Sequence, residues 1–253
     1  MRWQRRLQKG LYEDPHLQAV PFWPLTDGEI HYLYWFIQGG IMNVDTRWAL
    51  RRAWGFCPRH AWAALAVEMA FRSDNLLGPA ILYVDLLERC LTAFRRSGPL
   101  QAQRLLRRLR PAGPCTICDM GIYWATKGAA KAEVLEQGHR TEALVDYALR
   151  YQRHWQSSVC RLCAGESHTA SSLATSMLCR LHIIEQGEPT LERQLQALRS
   201  FLEATYTHMS ALDRSYMLEH KGTAKPEDRA ALLTAVGWLN GWRPLLALIQ
   251  PAR

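Results

Sequence analysis

Apolar residues recur every three to four positions along most of the chain, and nowhere do they alternate convincingly with polar ones. Ile81, Val84, Leu87, Cys90, Leu91 and Phe94 keep that spacing, which places them on one side of a helix. A longer run, Leu191, Leu195, Leu198, Phe201, Leu202, Tyr206, Met209, Leu212 and Tyr216, follows Pro189. Proline suits a first helical turn, where its missing N–H would have had no partner. Pro226 marks the start of a last helix pair, broken at Gly241-Trp242-Arg243-Pro244. The pattern predicts an all-α protein, a multi-helix bundle of about nine helices. Loops are expected at Gly39-Gly40, Ser97-Gly98-Pro99, Pro111-Ala112-Gly113-Pro114 and Gly187-Glu188-Pro189, where Gly and Pro punctuate the periodicity.

The 253 residues fit one large domain or two small ones. Pro111–Pro114 is the best internal boundary, giving halves 1–110 and 111–253. Each half contains a Cys-x-x-His motif, which suggests a diverged duplication. The longest apolar run, Ala61 to Phe71, is interrupted by Glu68 and falls short of a membrane span. Met1-Arg2-Trp3-Gln4-Arg5-Arg6 is basic with no apolar segment behind it, so it does not read as a secretory signal. A reducing, cytoplasmic setting is expected, in which paired cysteines serve as metal ligands or redox groups more often than as disulfides.

Six of the seven cysteines fall into four short motifs: Cys57-Pro58-Arg59-His60, Cys115-Thr116-Ile117-Cys118, Cys160-Arg161-Leu162-Cys163 and Cys179-Arg180-Leu181-His182. Each sets two metal-binding groups three positions apart, so one turn of backbone can aim both at one ion. The eight groups suffice for two closed tetrahedral sites of the structural zinc type. Fifteen residues separate Cys163 from Cys179, which makes Cys160, Cys163, Cys179 and His182 one expected quartet. Cys57, His60, Cys115 and Cys118 form the other across a gap of 54 residues, a longer loop whose closure cost grows only logarithmically. Pairing Cys115 and Cys118 with Cys179 and His182 is the alternative. Cys90 sits among Leu86, Leu87 and Leu91 and reads as a small core residue.

Enzymatic readings find less in the sequence. Pro114-Cys115-Thr116-Ile117-Cys118 has the form of a redox motif, without the β-α-β context of thioredoxin-like sites. Pro-Cys-x-x-Cys is half of a zinc deaminase signature, and its general acid/base partner motif is missing. A catalytic zinc keeps an open position on three protein ligands, whereas the motifs supply sets of four. Glu166 and His168 offer an acid/base pair beside Cys163 but read better as loop-capping groups.

Net charge is +8, and the surplus is concentrated. Residues 89 to 110 contain Arg89, Arg95, Arg96, Arg104, Arg107, Arg108 and Arg110 with no acidic residue. Helical spacing puts Arg104, Arg107 and Arg108 on one face, with Leu105, Leu106 and Leu109 toward the core. Such a patch suits a polyanion, nucleic acid first and an acidic protein second. Arg95, Arg96, Arg104, Arg107 and Arg108 are the expected phosphate contacts, giving salt-sensitive affinity without base reading. Trp3 is a candidate for stacking on a base. The expected function is a non-enzymatic, zinc-stabilised helical adaptor that binds nucleic acid or sits in a nucleoprotein complex. The alternatives are a protein-only interaction subunit of a larger complex and a metal- or thiol-dependent enzyme.

Gly55-Phe56-Cys57-Pro58-Arg59-His60-Ala61-Trp62, followed by Asn75 through Leu87, resembles an uncharacterised bacterial family of helical proteins with repeated Cys-Pro-x-Cys and Gly-x-Cys-x-x-His units. The resemblance implies zinc binding and a cytoplasmic helical fold, and brings no established activity. The chain departs from the family at Phe22-Trp23-Pro24-Leu25-Thr26, where Cys-Pro-Leu-Cys would be expected. Either Cys115 and Cys118 replace those ligands, or Cys57 and His60 no longer hold metal. A weaker similarity is to the transposition-targeting TniQ family, which the helical surroundings after His60 fit poorly.

Overall fold

The computed structural model describes residues 22–72, 75–95, 100–122, 130–165 and 177–249, and every regular element among them is helical. The chain first forms α1 (Asp27–Ile37), α2 (Val44–Ala53), α3 (Pro58–Arg72), α4 (Leu77–Phe94) and α5 (Gln101–Leu109). Six shorter helices follow: α6 (Thr116–Asp119), α7 (Ala132–Gly138), α8 (Glu142–Arg150), α9 (Gln152–Trp155), α10 (Arg161–Ala164) and α11 (Arg180–Gln186). Then come the long α12 (Glu188–Arg214), α13 (Pro226–Asn240) and α14 (Arg243–Ile249). The segments outnumber the roughly nine expected because α6, α9 and α10 are single turns of four residues, too short to show a helical repeat. None of the described helices is long and apolar enough to cross a membrane. The expected loop at 97–99 lies outside the described residues.

Two helices form the centre. α3 is buried from Arg59 to Met69 and α13 from Ala230 to Asn240, the signature of helices packed on all sides rather than along one stripe. α12 lies across α4, α5 and α13, with Leu191, Leu198, Leu202, Met209 and Leu212 fully buried. Around α3 pack α1, α7, α8 and α14. Helices on both sides of residue 110 therefore share one hydrophobic cluster, which runs from Leu25 to Leu245.

Tryptophans tie these layers together through their ring N–H groups. Trp62 donates to Gly241 O at 2.7 Å, Trp155 to Ala148 O at 2.8 Å and Trp238 to Leu178 O at 3.1 Å. Each bond spares a buried donor the cost of going unpaired, about 1–3 kcal/mol. Trp242 stacks on Trp155, with ring centres 5.5 Å apart. A Cβ at Gly237 would collide with the Trp242 indole, so the approach of α14 to α13 requires glycine there.

One turn sets the geometry of the first candidate site. Trp54 ends α2 in the left-handed region, at φ 61°, a conformation that costs an L-residue roughly 1–2 kcal/mol. Gly55 follows at φ 90° with Leu86 packed against it. The turn is clamped from α13: Asn240 Nδ2 donates to Trp54 O at 3.0 Å and to Phe56 O at 2.6 Å. Tyr83 Oη in turn donates to Asn240 Oδ1 at 2.8 Å. The chain leaves this clamp directly into Cys57.

Candidate metal centres

All four cysteine motifs use the same local device. Cys115, Cys160 and Cys179 are the N-cap residues of α6, α10 and α11, and Cys57 immediately precedes α3. The second group of each motif, Cys118, Cys163, His182 or His60, therefore stands at the third helical position. N-cap and third-position side chains face each other across a helix start, as in a capping box. The unpaired N–H groups there also favour negative charge on sulfur.

These helix starts meet in two quartets. Cys57, His60, Cys115 and Cys118 form the first centre and Cys160, Cys163, Cys179 and His182 the second, and within each quartet the candidate ligand atoms lie within 4.8 Å of one another. The alternative combination of Cys115 and Cys118 with Cys179 and His182 does not occur. Cys90 is fully buried apart from both quartets, and burial pushes its thiol up to about 12.

The spacings fit a tetrahedral ion. Zinc with bonds of about 2.3 Å to sulfur and 2.0–2.1 Å to nitrogen would place sulfurs about 3.8 Å apart and sulfur about 3.6 Å from nitrogen. Cys118 Sγ lies 3.7 Å from Cys57 Sγ, and Cys163 Sγ 3.8 Å from Cys179 Sγ. His60 Nδ1 stands 3.2, 3.4 and 3.4 Å from the sulfurs of Cys57, Cys115 and Cys118. His182 Nδ1 stands 3.2, 3.6 and 3.2 Å from those of Cys160, Cys163 and Cys179. In both centres Nδ1 is the nitrogen presented, so three cysteines and one histidine could hold each ion.

The electrostatics of both centres call for a cation. Burial opposes charge on Cys115, yet hydrogen bonds from Cys118 and Cys57 and the charge on His60 hold its thiol well below the ordinary range. Burial likewise opposes the cationic form of His60, but the Cys115 charge and hydrogen bonds outweigh it and push the imidazole well above its usual value. In the second centre, hydrogen bonds from Cys163 and Cys179 hold the Cys160 thiol low. There burial is outweighed by hydrogen bonds to Cys160 and Cys163, which push His182 up to about 9. Two other sulfurs are forced toward the thiol form: Cys57 by its hydrogen bonds with Cys115 and Cys118, and Cys179 first by burial. One proton on imidazole balances one thiolate; a divalent ion would balance two of three and lower the pKa of every sulfur it touched.

Behind the first centre lies a buried ion network that the sequence motifs do not announce. His60 Nε2 donates to Glu29 Oε1 at 2.8 Å, and the Arg59 guanidinium grips both Glu29 oxygens at 2.6 and 2.7 Å. Glu29 Oε2 also accepts from Thr26 N at 2.7 Å in the capping box that opens α1. Burial works against the Glu29 carboxylate, but the bonds from Arg59 and His60 prevail and lower it to about 2. A carboxylate on Nε2 fixes the tautomer that leaves Nδ1 free to ligate. The Thr26-x-x-Glu29 capping signal was the one trace of this residue in the sequence. Behind the second centre, His182 Nε2 lies 3.9 Å from Glu185 on the same helix, and Trp242 N donates to Cys163 Sγ at 3.4 Å.

The candidate phosphate contacts are placed differently. Arg104 and Arg107 project from α5 into solvent, Arg108 is half-buried, and Arg95 is exposed at the end of α4. Leu105, Leu106 and Leu109 fill the buried side of α5. Arg96, Trp3, Glu166 and His168 lie outside the described residues. Compared with known proteins, the chain matches no family model, no curated protein and no solved structure.

Proposed function

We propose that the chain is a non-enzymatic helical adaptor, stapled by two structural zinc ions, that binds nucleic acid through phosphate contacts. The observation that carries the structural half is the closed geometry of both quartets: four protein groups surround each point, leaving no position for a substrate or an activated water. Three sulfurs and an imidazole favour zinc among the common divalent ions, and thiolates of this kind persist in a reducing compartment such as the cytoplasm. The resemblance of residues 55–62 and 75–87 to a bacterial zinc-binding helical family belongs to the same reading. Elemental analysis should return two zinc ions per chain, falling to one in both Cys115→Ser and Cys160→Ser. A folded, metal-free protein would overturn the staple.

The binding half rests on Arg95, Arg104, Arg107 and Arg108, whose side chains meet no carboxylate among the described residues. The test is affinity for an arbitrary-sequence duplex and a single strand over a salt series. Changing Arg104, Arg107 and Arg108 together to Gln should reduce the duplex salt slope by about 2 to 3, near 0.9 for each lost phosphate contact. Absence of binding at low salt, or indifference to those changes, sinks this half.

A second reading is a protein-only interaction subunit. Val44 and Trp48, 80 % and 60 % exposed, share one face of α2 by i,i+4 spacing, with the Arg52 guanidinium 4.5 Å over the Trp48 ring. Purified complexes free of nucleic acid by absorbance ratio, and lost in Trp48→Ala, would favour it.

A further inference from the structure

Between α4 and the end of α5 lies a recess of about 370 Å³, walled by Trp54, Arg89, Thr92, Arg107, Arg108 and Arg110. Four of these are arginines, and no acidic side chain lines the recess among the described residues. Arginines in a last helical turn often serve only to offset the helix dipole. Here two carbonyls at that end already have partners: Trp54 Nε1 donates to Arg108 O at 3.1 Å and Arg180 Nη1 to Leu109 O at 2.8 Å. The dipole alone is therefore a weak account of three arginines, Arg107, Arg108 and Arg110.

Arg89 is the most informative of the four. Its guanidinium carbon stands over the Trp54 indole, 4.0 Å from the ring centre, at the recess that both residues line. Its Nη1 is buried with no hydrogen-bond partner among the described residues, and a buried donor without an acceptor is costly. Asp85, one turn earlier on α4, is engaged from α2 by Arg51 at 3.2 Å and Arg47 at 3.9 Å. Burial first, then the charge of Arg51, hold Arg89 below the ordinary guanidinium value. Positive charge has thus been gathered beyond what the protein's own carboxylates balance, in a place partly shielded from water.

The floor is also rigid. Trp54 is locked into its left-handed turn by Asn240, and Arg52 and Ala112 exchange two hydrogen bonds of 2.8 Å, N–H of Ala112 to Arg52 O and Arg52 Nη2 to Ala112 O. Planar guanidinium groups held in fixed positions suit the multiple oxygens of a phosphoryl group. The volume is at the lower end for small-ligand pockets, roughly 300–1,000 Å³, room for a phosphate and an attached sugar but not for a duplex.

We infer that this recess binds a phosphomonoester, with Arg89 and Arg110 gripping the terminal phosphate oxygens. A free nucleotide and the phosphorylated end of a strand present that same group. The site shares Arg107 and Arg108 with the nucleic-acid reading but does not require it, since a free phosphomonoester would fill the same space.

The test uses the full, metal-loaded chain. Inorganic phosphate is titrated by calorimetry while the arginine Nε–H signals are followed by NMR. Saturable binding is expected, about tenfold weaker in both Arg89→Gln and the more exposed Arg110→Gln, the loss of one charge-assisted contact each. Arg199→Gln, whose side chain pairs with Glu203 at 2.9 Å on α12, should bind as the parent does. A short single strand with a 5′-phosphate is then compared with the same strand ending in a 5′-hydroxyl. A tenfold preference for the phosphate, erased by Arg110→Gln, supports the inference with a strand end as the source. Saturable phosphate binding with no preference between strands supports it with a free phosphorylated ligand as the source. Phosphate binding that is absent, or indifferent to both substitutions, overturns the site even if strands still bind in a salt-dependent way. Phosphate binding at the recess with no strand affinity upholds the site and removes the nucleic-acid reading alone.

Discussion

The two candidate metal centres share a set of ligand groups and a helix-start geometry but not a setting. The first draws ligands from residues 57 to 118 and joins the starts of α3 and α6. It rests on Glu29 and Arg59, whose side chains are 0 % and 5 % exposed. The second draws from residues 160 to 182, and its histidine faces Glu185, which is 69 % exposed. One local device therefore serves as a long-range staple in one place and as a short-range knot in another. What separates them is the chain length between ligands and the depth of the network behind the histidine.

The largest test of that contrast is removal of one sulfur from each. Structural zinc contributes on the order of 10 kcal/mol to small domains, comparable with the whole stability of a typical fold. Cys115→Ser is expected to lower the thermal transition the more steeply of the two, while the second centre keeps its ion. Cys160→Ser should keep a transition at reduced temperature, because α3, α4 and α13 remain packed. Equal losses in the two variants would erase the distinction between staple and knot.

Next comes the carboxylate behind the first histidine. Glu29→Gln takes the carboxylate charge away from the buried Arg59 guanidinium, at a cost of about 3–5 kcal/mol by denaturant titration. Further along α3, Glu68 provides the opposite case. It is 2 % exposed, its Oε1 lacks a hydrogen-bond partner among the described residues, and Arg72 approaches only to 3.7 Å. Burial raises it to about 7 against the partial offset of Arg72. The folded state therefore holds a proton that the unfolded chain releases above pH 4.5, and this group's contribution to stability falls as pH rises from 4.5 to 7. Glu68→Gln should be more stable than the parent by up to roughly 3 kcal/mol at pH 8, with the gap narrowing toward pH 5. A gap that does not depend on pH would contradict the buried-acid account. The smallest effect is expected for Glu185→Gln, under about 0.5 kcal/mol, as for other exposed pairs.

Much of this is legible in the amino-acid sequence. The x-x spacing within each motif announced the ligands, because the N-cap and third helical position always face each other. The leucines of α5 announced its buried side. The division into quartets was harder: loop closure disfavours the 54-residue gap only weakly, so an exchange of cysteine pairs stayed open until the helix starts were located. Glu29 was hidden for a different reason. It reads as a capping residue, which it is, and only the packing of α1 on α3 gives its second oxygen a further task. The recess at Arg89 was invisible along the chain, since its floor depends on a left-handed tryptophan and its walls on two helices meeting.

Asn240 has a consequence for how the protein is made. Its amide holds the two carbonyls that flank Gly55, just ahead of Cys57, and its neighbour Gly241 accepts the Trp62 ring N–H. A ribosome delivers Cys57, His60, Cys115 and Cys118 long before residue 240 emerges. A nascent chain that captures an ion early does so on an unbraced turn, and the frame around that ion sets only when α13 slides in. Chains cut short ahead of α13 would carry every ligand of the first centre and still lack the clamp that aims Cys57.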